Sequence, residues 1–182
     1  DGDGDGVVEF GSEDDLAVLG NPIPDMTLGF NLNMDYKGID FAASLYASIG
    51  NKAVRSYERF LTYSNKSRLY LDRWTGEGTS NTTPRASTNA SNNYLFSDFF
   101  VEDASFLRIQ NVQIGYSIPS STLEKIKMDK VRLYVAANNL YTFTKYSGYN
   151  PDVSNANPAA AGVDLGQYPQ TRTYTLGINV SF

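Results

Sequence analysis

The chain has 182 residues, enough for one domain, with 41% hydrophobic residues, 13% aromatics and a net charge of -5. It contains no Cys and no His, which excludes disulfides, thiolate metal sites and every hydrolase built on a Ser-His or Cys-His pair. The acidic balance and the lack of a basic block argue against a nucleic-acid partner.

No run of about 18 apolar residues is present, so no helix is expected to cross a membrane, although barrel strands give a far weaker hydropathy signal. No secretory signal peptide opens the sequence. Tyr is the dominant aromatic, with 13 copies, and suits positions that are half apolar and half wet.

Asp1, Asp3 and Asp5 with Gly6 match the first half of a calcium loop, D-x-D-x-D-G. Alternate carboxylates can converge on one hard cation, Val7 would offer its carbonyl, and Glu9 takes the ninth position. The twelfth position is Ser12, where a bidentate Glu is expected, and the alternative is an acidic, Gly-rich turn that binds nothing. Gly20-Asn21-Pro22-Ile23-Pro24 is a rigid, non-helical connector, closing a segment 1–25.

From Met26 the pattern is that of strands. Met26, Leu28, Phe30, Leu32, Met34 and Tyr36 alternate with polar or small residues. Lys37-Gly38 turns the chain, and Ile39, Phe41, Ala43, Leu45, Ala47 and Ile49 alternate again. A two-residue hairpin sets Tyr36 opposite Ile39, Met34 opposite Phe41 and Phe30 opposite Leu45, so each apolar residue meets an apolar partner. Asp35 and Asp40 are then directly opposed, which calls for water or a cation such as Arg132 nearby. Each arm is close to the roughly 9–11 residues that cross a membrane as a tilted strand.

Residues 50–103 show no strand periodicity and read as a long loop. A helix is expected over 53–63, where Val54, Tyr57, Phe60 and Leu61 fall at helical spacing. Asn65, Asn81 and Asn89 head Asn-x-Ser/Thr triplets, which arise by chance in so polar a stretch. A third strand is expected over 104–118, with Val112, Ile114, Tyr116 and Ile118 on one face and Asn111, Gln113, Gly115 and Ser117 on the other. A short turn at 119–129 leads to a fourth strand over 130–144, a second long loop over 145–170 and a fifth strand over 171–182. In that last strand Tyr174, Leu176, Ile178, Val180 and Phe182 share one face. Short connections on one end of the meander and long ones on the other are the habit of outer-membrane barrels, with periplasmic turns, extracellular loops and, here, a periplasmic C-terminus.

Several stretches, in order, resemble one family. These are Asp3-Gly4-Asp5-Gly6, Leu19-Gly20-Asn21-Pro22-Ile23-Pro24, Arg73-Trp74, Phe106-Leu107-Arg108-Ile109-Gln110-Asn111-Val112 and Ile114-Gly115-Tyr116. Asn138-Asn139-Leu140, Thr144-Lys145-Tyr146-Ser147-Gly148-Tyr149-Asn150-Pro151, Tyr168-Pro169-Gln170 and the final strand complete the set. Together they resemble the SusC/RagA-type TonB-dependent outer-membrane transporters of Bacteroidetes. The fold so implied is all-β: antiparallel up-and-down strands forming the C-terminal part of a transmembrane β-barrel. Five strands cannot close the wide barrel of that family, and its plug domain and TonB box have no counterpart here, so a C-terminal fragment is expected.

The resemblance implies import of oligosaccharides or peptides, with TonB acting through the absent plug and a SusD-type lipoprotein closing over the barrel. It casts Asn31, Asn33, Asp35, Asp40, Asn111, Gln113, Arg132 and Asn138 as lumen-facing, where they contact a polar nutrient or simply keep a channel wet. Trp74, Tyr94, Phe96, Tyr146 and Tyr149 become candidates for contact with substrate or lid, or for packing within the loops and the aromatic girdle. Thr175, Gly177, Val180 and Phe182 resemble the signal read by the barrel-assembly machinery. The rival from another class is a secreted, calcium-dependent, carbohydrate-binding β-sandwich, whose alternation would be core on one face and solvent on the other. An enzyme is the weakest reading, since carboxylate pairs without His make no constellation.

Overall fold

The computed structural model of the chain describes residues 4, 11–57, 68–86, 96–124, 127–153, 155 and 157–182. Five long strands form one antiparallel sheet: β1 (Met26–Tyr36), β2 (Ile39–Ile49), β5 (Phe106–Ser117), β6 (Lys130–Thr144) and β8 (Thr173–Ser181). They lie side by side in chain order, β1-β2-β5-β6-β8, every neighbour antiparallel. The loops between β2 and β5 and between β6 and β8 hold three short strands, β3 (Lys52–Arg55), β4 (Val101–Asp103) and β7 (Val163–Asp164). These form a second sheet in the order β4-β3-β7, antiparallel between β3 and β4 and parallel between β3 and β7.

The first hairpin has the register expected from alternation: Tyr36 pairs with Ile39, Met34 with Phe41, Phe30 with Leu45, and Asp35 with Asp40. Its turn has positive φ at both central residues, Lys37 (47°) and Gly38 (85°), the twist that suits right-handed strands. The connection between β5 and β6 is also short and carries one helical turn, Ser120–Leu123.

Two expectations are corrected. Residues 50–103 are not free of strands, because Lys52–Arg55 and Val101–Asp103 pair with each other. The first residues of the helix expected over 53–63 lie in β3 instead, where the backbone of Val54 donates to the Gly162 carbonyl at 2.8 Å. A local helical spacing loses to a partner strand brought from far along the chain; residues 58–63 of that expectation fall outside the described residues. The third strand, whose faces agree with the expectation from Asn111 to Ser117, carries a bulge before them. Its register shifts between Ile109 and Asn111, so Gln110 is an extra residue against β2, and β6 makes a further shift opposite it. This bulge puts Phe106 and Arg108 on the same face as Asn111 and Gln113.

One face of the large sheet is apolar from edge to edge, and it is uncovered: Phe30 is 58% exposed, Leu176 80% and Ile178 63%. A β-sandwich would bury this face under a second sheet, and among the described residues nothing does so. At the loop end Ala53, Ala104 and Tyr146 form a buried cluster beside the small sheet, with Phe100 also buried, and at the other end Leu123 of the helical turn is buried.

Candidate functional site

The eight polar residues expected to share a face do so. Antiparallel registry carries them across the sheet in rows. Asn31 pairs with Ser44, Ser44 with Asn111, Asn111 with Asn138, and Asn138 with Thr173. Within that row the Asn111 amide donates to the Asn138 side-chain carbonyl at 2.7 Å. The next row runs Asn33, Ala42, Gln113, Ala136 and Thr175, and the third runs Asp35, Asp40, Gly115, Tyr134 and Gly177. The result is a wall of amides, hydroxyls and carboxylates, able to exchange hydrogen bonds with water or with a polar solute.

The third row contains a feature that sequence reasoning missed in part. Arg132 lies across Gly115, where a Cβ would meet its guanidinium, and so reaches over β5 to Asp40 on β2. Its Nε donates to Asp40 Oδ1 at 2.8 Å, and its Nη2 donates to Oδ2. This is the cation that the opposed Asp35 and Asp40 call for. Arg132 also sits 5.1 Å from the centre of the Tyr134 ring, which in turn lies against Gly177. Tyr134 and Gly115 have a sequence signal only once the strands are in register.

At the loop end the two long loops are tied to each other and to the sheet. Arg55 of β3 is buried, pairs with Glu102 of β4 at 2.6 Å, and donates to the Phe99 carbonyl at 3.0 Å. Glu102 also accepts from the backbone and hydroxyl of Ser147, at 2.8 and 2.7 Å. The Tyr146 hydroxyl donates to Asp164 at 2.8 Å, and the other oxygen of Asp164 accepts from the backbones of Gly166 and Gln167. Burial first, and then the Asp164 carboxylate, raise the Tyr146 pKa well above its ordinary value near 10. The Ser105 hydroxyl and backbone, both bonded to Asp103, lower that carboxyl below the usual range. On the sheet itself Arg108 is buried and donates to Asn150 at 2.9 Å, Asp152 at 3.2 Å and Thr142 at 3.2 Å. The turn Gly148-Tyr149-Asn150-Pro151 is thereby held down on the polar face.

The aromatic candidates divide. Trp74, Phe96 and Tyr149 are exposed. Tyr146 is 5% exposed and engaged by Asp164, so of the two roles set out for it, packing within the loops is the one its burial fits. Tyr94 lies outside the described residues, as do Asp1, Asp3, Asp5, Val7 and Glu9 of the acidic segment. In β8, Thr175 and Gly177 lie on the polar face and Val180 on the apolar one, with Phe182 exposed just past the strand.

The chain is 33% identical over 188 residues to the TonB-dependent receptor P3 of Formosa agariphila, covering 99% of this chain and 18% of that protein. It is 31% identical over 187 residues to the TonB-dependent receptor SusC of Bacteroides thetaiotaomicron, covering 100% of this chain and 17% of that one. The RagAB peptide importer in its open-open state superposes with a TM-score of 0.70 at 28% identity, covering 90% of this chain and 18% of the importer chain. The chain belongs to the SusC/RagA-type TonB-dependent receptors. The closed-closed state of RagAB gives a TM-score of 0.72 at 29% identity over 94% of this chain and 19% of the importer chain. No protein-family profile matches. The chain thus spans about a fifth of the length of these SusC/RagA-type relatives. Its large sheet is a run of transmembrane barrel strands, which accounts for the uncovered apolar face as a lipid-facing surface.

Proposed function

We propose that this segment is wall and outer loops of an outer-membrane importer, driven by TonB through a plug, that takes up oligosaccharides or peptides and catalyses no reaction. A SusD-type lipoprotein is its partner at the cell surface. The observation that carries the reading is the sheet with one continuous apolar face and one polar face, in a chain related over its whole length to SusC. In this reading the long loops are extracellular, and the turns at Lys37-Gly38 and 119–129 are periplasmic, with Phe182. Asn31, Asn33, Asp35, Asp40, Asn111, Gln113, Arg132 and Asn138 line the lumen. Trp74, Phe96 and Tyr149 face substrate or lid, and Thr175, Gly177, Val180 and Phe182 direct assembly. The acidic residues Asp1, Asp3, Asp5 and Glu9, with the Val7 backbone carbonyl, hold Ca2+ in an extracellular loop.

The test uses the full-length protein in its own bacterium. Deleting its gene should abolish growth on one set of oligosaccharides or oligopeptides while leaving growth on monomers intact, and a tagged copy should bring down a surface lipoprotein from outer membranes. Unchanged growth on every oligomer, together with no lipoprotein, would sink the importer. Chelation should lower the melting temperature of the purified protein, and Asp3→Ala with Asp5→Ala should remove that response. A melting temperature indifferent to both would make the segment a plain acidic turn.

A further inference from the structure

The lipid-facing side of the sheet is not uniform along its height. Near the loop end Leu28, Ala47, Leu107 and Phe143 stand in one row across β1, β2, β5 and β6. Ala47 has the shortest side chain of the four, and it is buried. It is the floor of an open trough of about 680 Å³, walled by Leu28, Ile49, Leu107, Tyr141 and Phe143. Toward the loops the lining turns polar, with Ser105, Thr144, Asp103 and Lys145. Lys145 comes two residues after Phe143 and Arg172 two residues before Tyr174, so strand alternation carries both cations to the lipid side. The Arg172 guanidinium lies 5.8 Å from the centre of the Tyr141 ring, at the edge of the trough. Neither cation has a carboxylate at ion-pair distance among the described residues. Asp103, the one carboxylate of the lining, already accepts from the Ser105 hydroxyl and backbone, at 2.6 and 3.0 Å.

We propose that this trough seats one phosphorylated glycolipid of the outer leaflet, its phosphate held by Lys145 and Arg172 and its acyl chains lying on the Ala47 row; the proposal rests on the orientation given above, with the long loops outside. Any apolar wall attracts lipid chains, but a trough with a short floor touches them on three sides and so adds dispersion contacts that a flat wall lacks. Long cationic side chains at a membrane edge lay their stems on apolar surface and lift their charges to the interface. There the anion within reach is a lipid phosphate, which accepts charge-assisted hydrogen bonds from ammonium and guanidinium groups. The row of four strands also sets a width. Three spacings of ~4.8 Å give ~14 Å, room for several acyl chains side by side, which suits a multi-chain glycolipid better than a two-chain phospholipid.

The experiment titrates the full-length protein, in detergent, with phosphorylated lipid A, with the same lipid A stripped of phosphate, and with phosphatidylglycerol. Phosphorylated lipid A should bind most tightly. Lys145→Gln combined with Arg172→Gln should weaken that binding about tenfold, while Lys145→Arg should stay near wild type. Ala47→Leu fills the floor and should weaken both forms of lipid A several-fold; should it fail to fold, the charge variants serve, since they lie just beyond the strand ends and leave the sheet pairing alone. Equal affinity for the stripped lipid, unchanged affinity in the folded double variant, or tighter binding of phosphatidylglycerol would each overturn the site. The orientation has its own test. Tyr168 is exposed in the second long loop, and a membrane-impermeant maleimide should label Tyr168→Cys on intact cells. No labelling would overturn the orientation and the site with it, whereas labelling without glycolipid binding removes the site and leaves the orientation and the importer standing.

Discussion

Two glycines on the polar face make room for two large side chains of β6. Gly115 lets Arg132 cross to Asp40, and Gly177 lets the Tyr134 ring lie flat on β8. A side chain at 177 would therefore collide with the ring rather than with backbone. Gly177→Val should lower the amount of full-length protein that reaches the outer membrane in heat-resistant folded form, and Tyr134→Ala in the same chain should restore much of it. Equal folded yield for Gly177→Val, or no rescue, would show that Gly177 acts through some route other than this contact. The opposition of Asp35 and Asp40 was legible beforehand because it needs only alternation and a two-residue turn, whereas the reach of Arg132 over β5 needs the strand order as well. The Tyr134–Gly177 contact was not, since it depends on the register between β6 and β8, which a long loop separates. For Tyr146 the two roles stayed open for a related reason: its partner Asp164 is distant in sequence, and a tyrosine in a loop looks the same exposed or buried.

At the scale of elements, the long strands were readable and the short ones were not. Strands of four, three and two residues cannot display a period, and β3, β4 and β7 exist because they find each other. The bulge left a trace that was passed over. Leu107 and Ile109 are apolar at odd positions, whereas Val112, Ile114 and Tyr116 are apolar at even ones, so the phase slips at Gln110. That slip is what sends Arg108 to the polar face, where it holds Asn150 and Asp152. Arg108→Met keeps the length and removes the donors, leaving Asn150 buried without its main partner. The cost should be roughly 1–3 kcal/mol, felt locally in the 145–152 turn rather than in the sheet. Protease added to intact cells should then cut near Tyr149 faster than in wild type, while the barrel stays heat-resistant. Cutting at the wild-type rate would mean that the turn is held by other contacts.

For the molecule as a whole, the largest apolar surface is on the outside, and its height follows from strand length. About 11 residues at ~3.3 Å each give ~36 Å along the strand, and a tilt near 40° brings this to ~27 Å along the barrel axis. The hairpin of β1 and β2 has that length in both arms, and its apolar residues run from Met26 and Ile49 to Tyr36 and Ile39. The sheet is thus a ruler for hydrocarbon. Full-length protein reconstituted into bilayers of graded acyl length should melt at the highest temperature where the apolar layer is about 25–27 Å thick, and lower on either side. A melting temperature flat across the series would mean that lipid contributes nothing to holding the strands. The uncovered face is therefore half of a fit whose other half is a membrane of particular thickness, and the thin outer membrane, rather than the thicker bilayers a cell also contains, is the one that the strand lengths match.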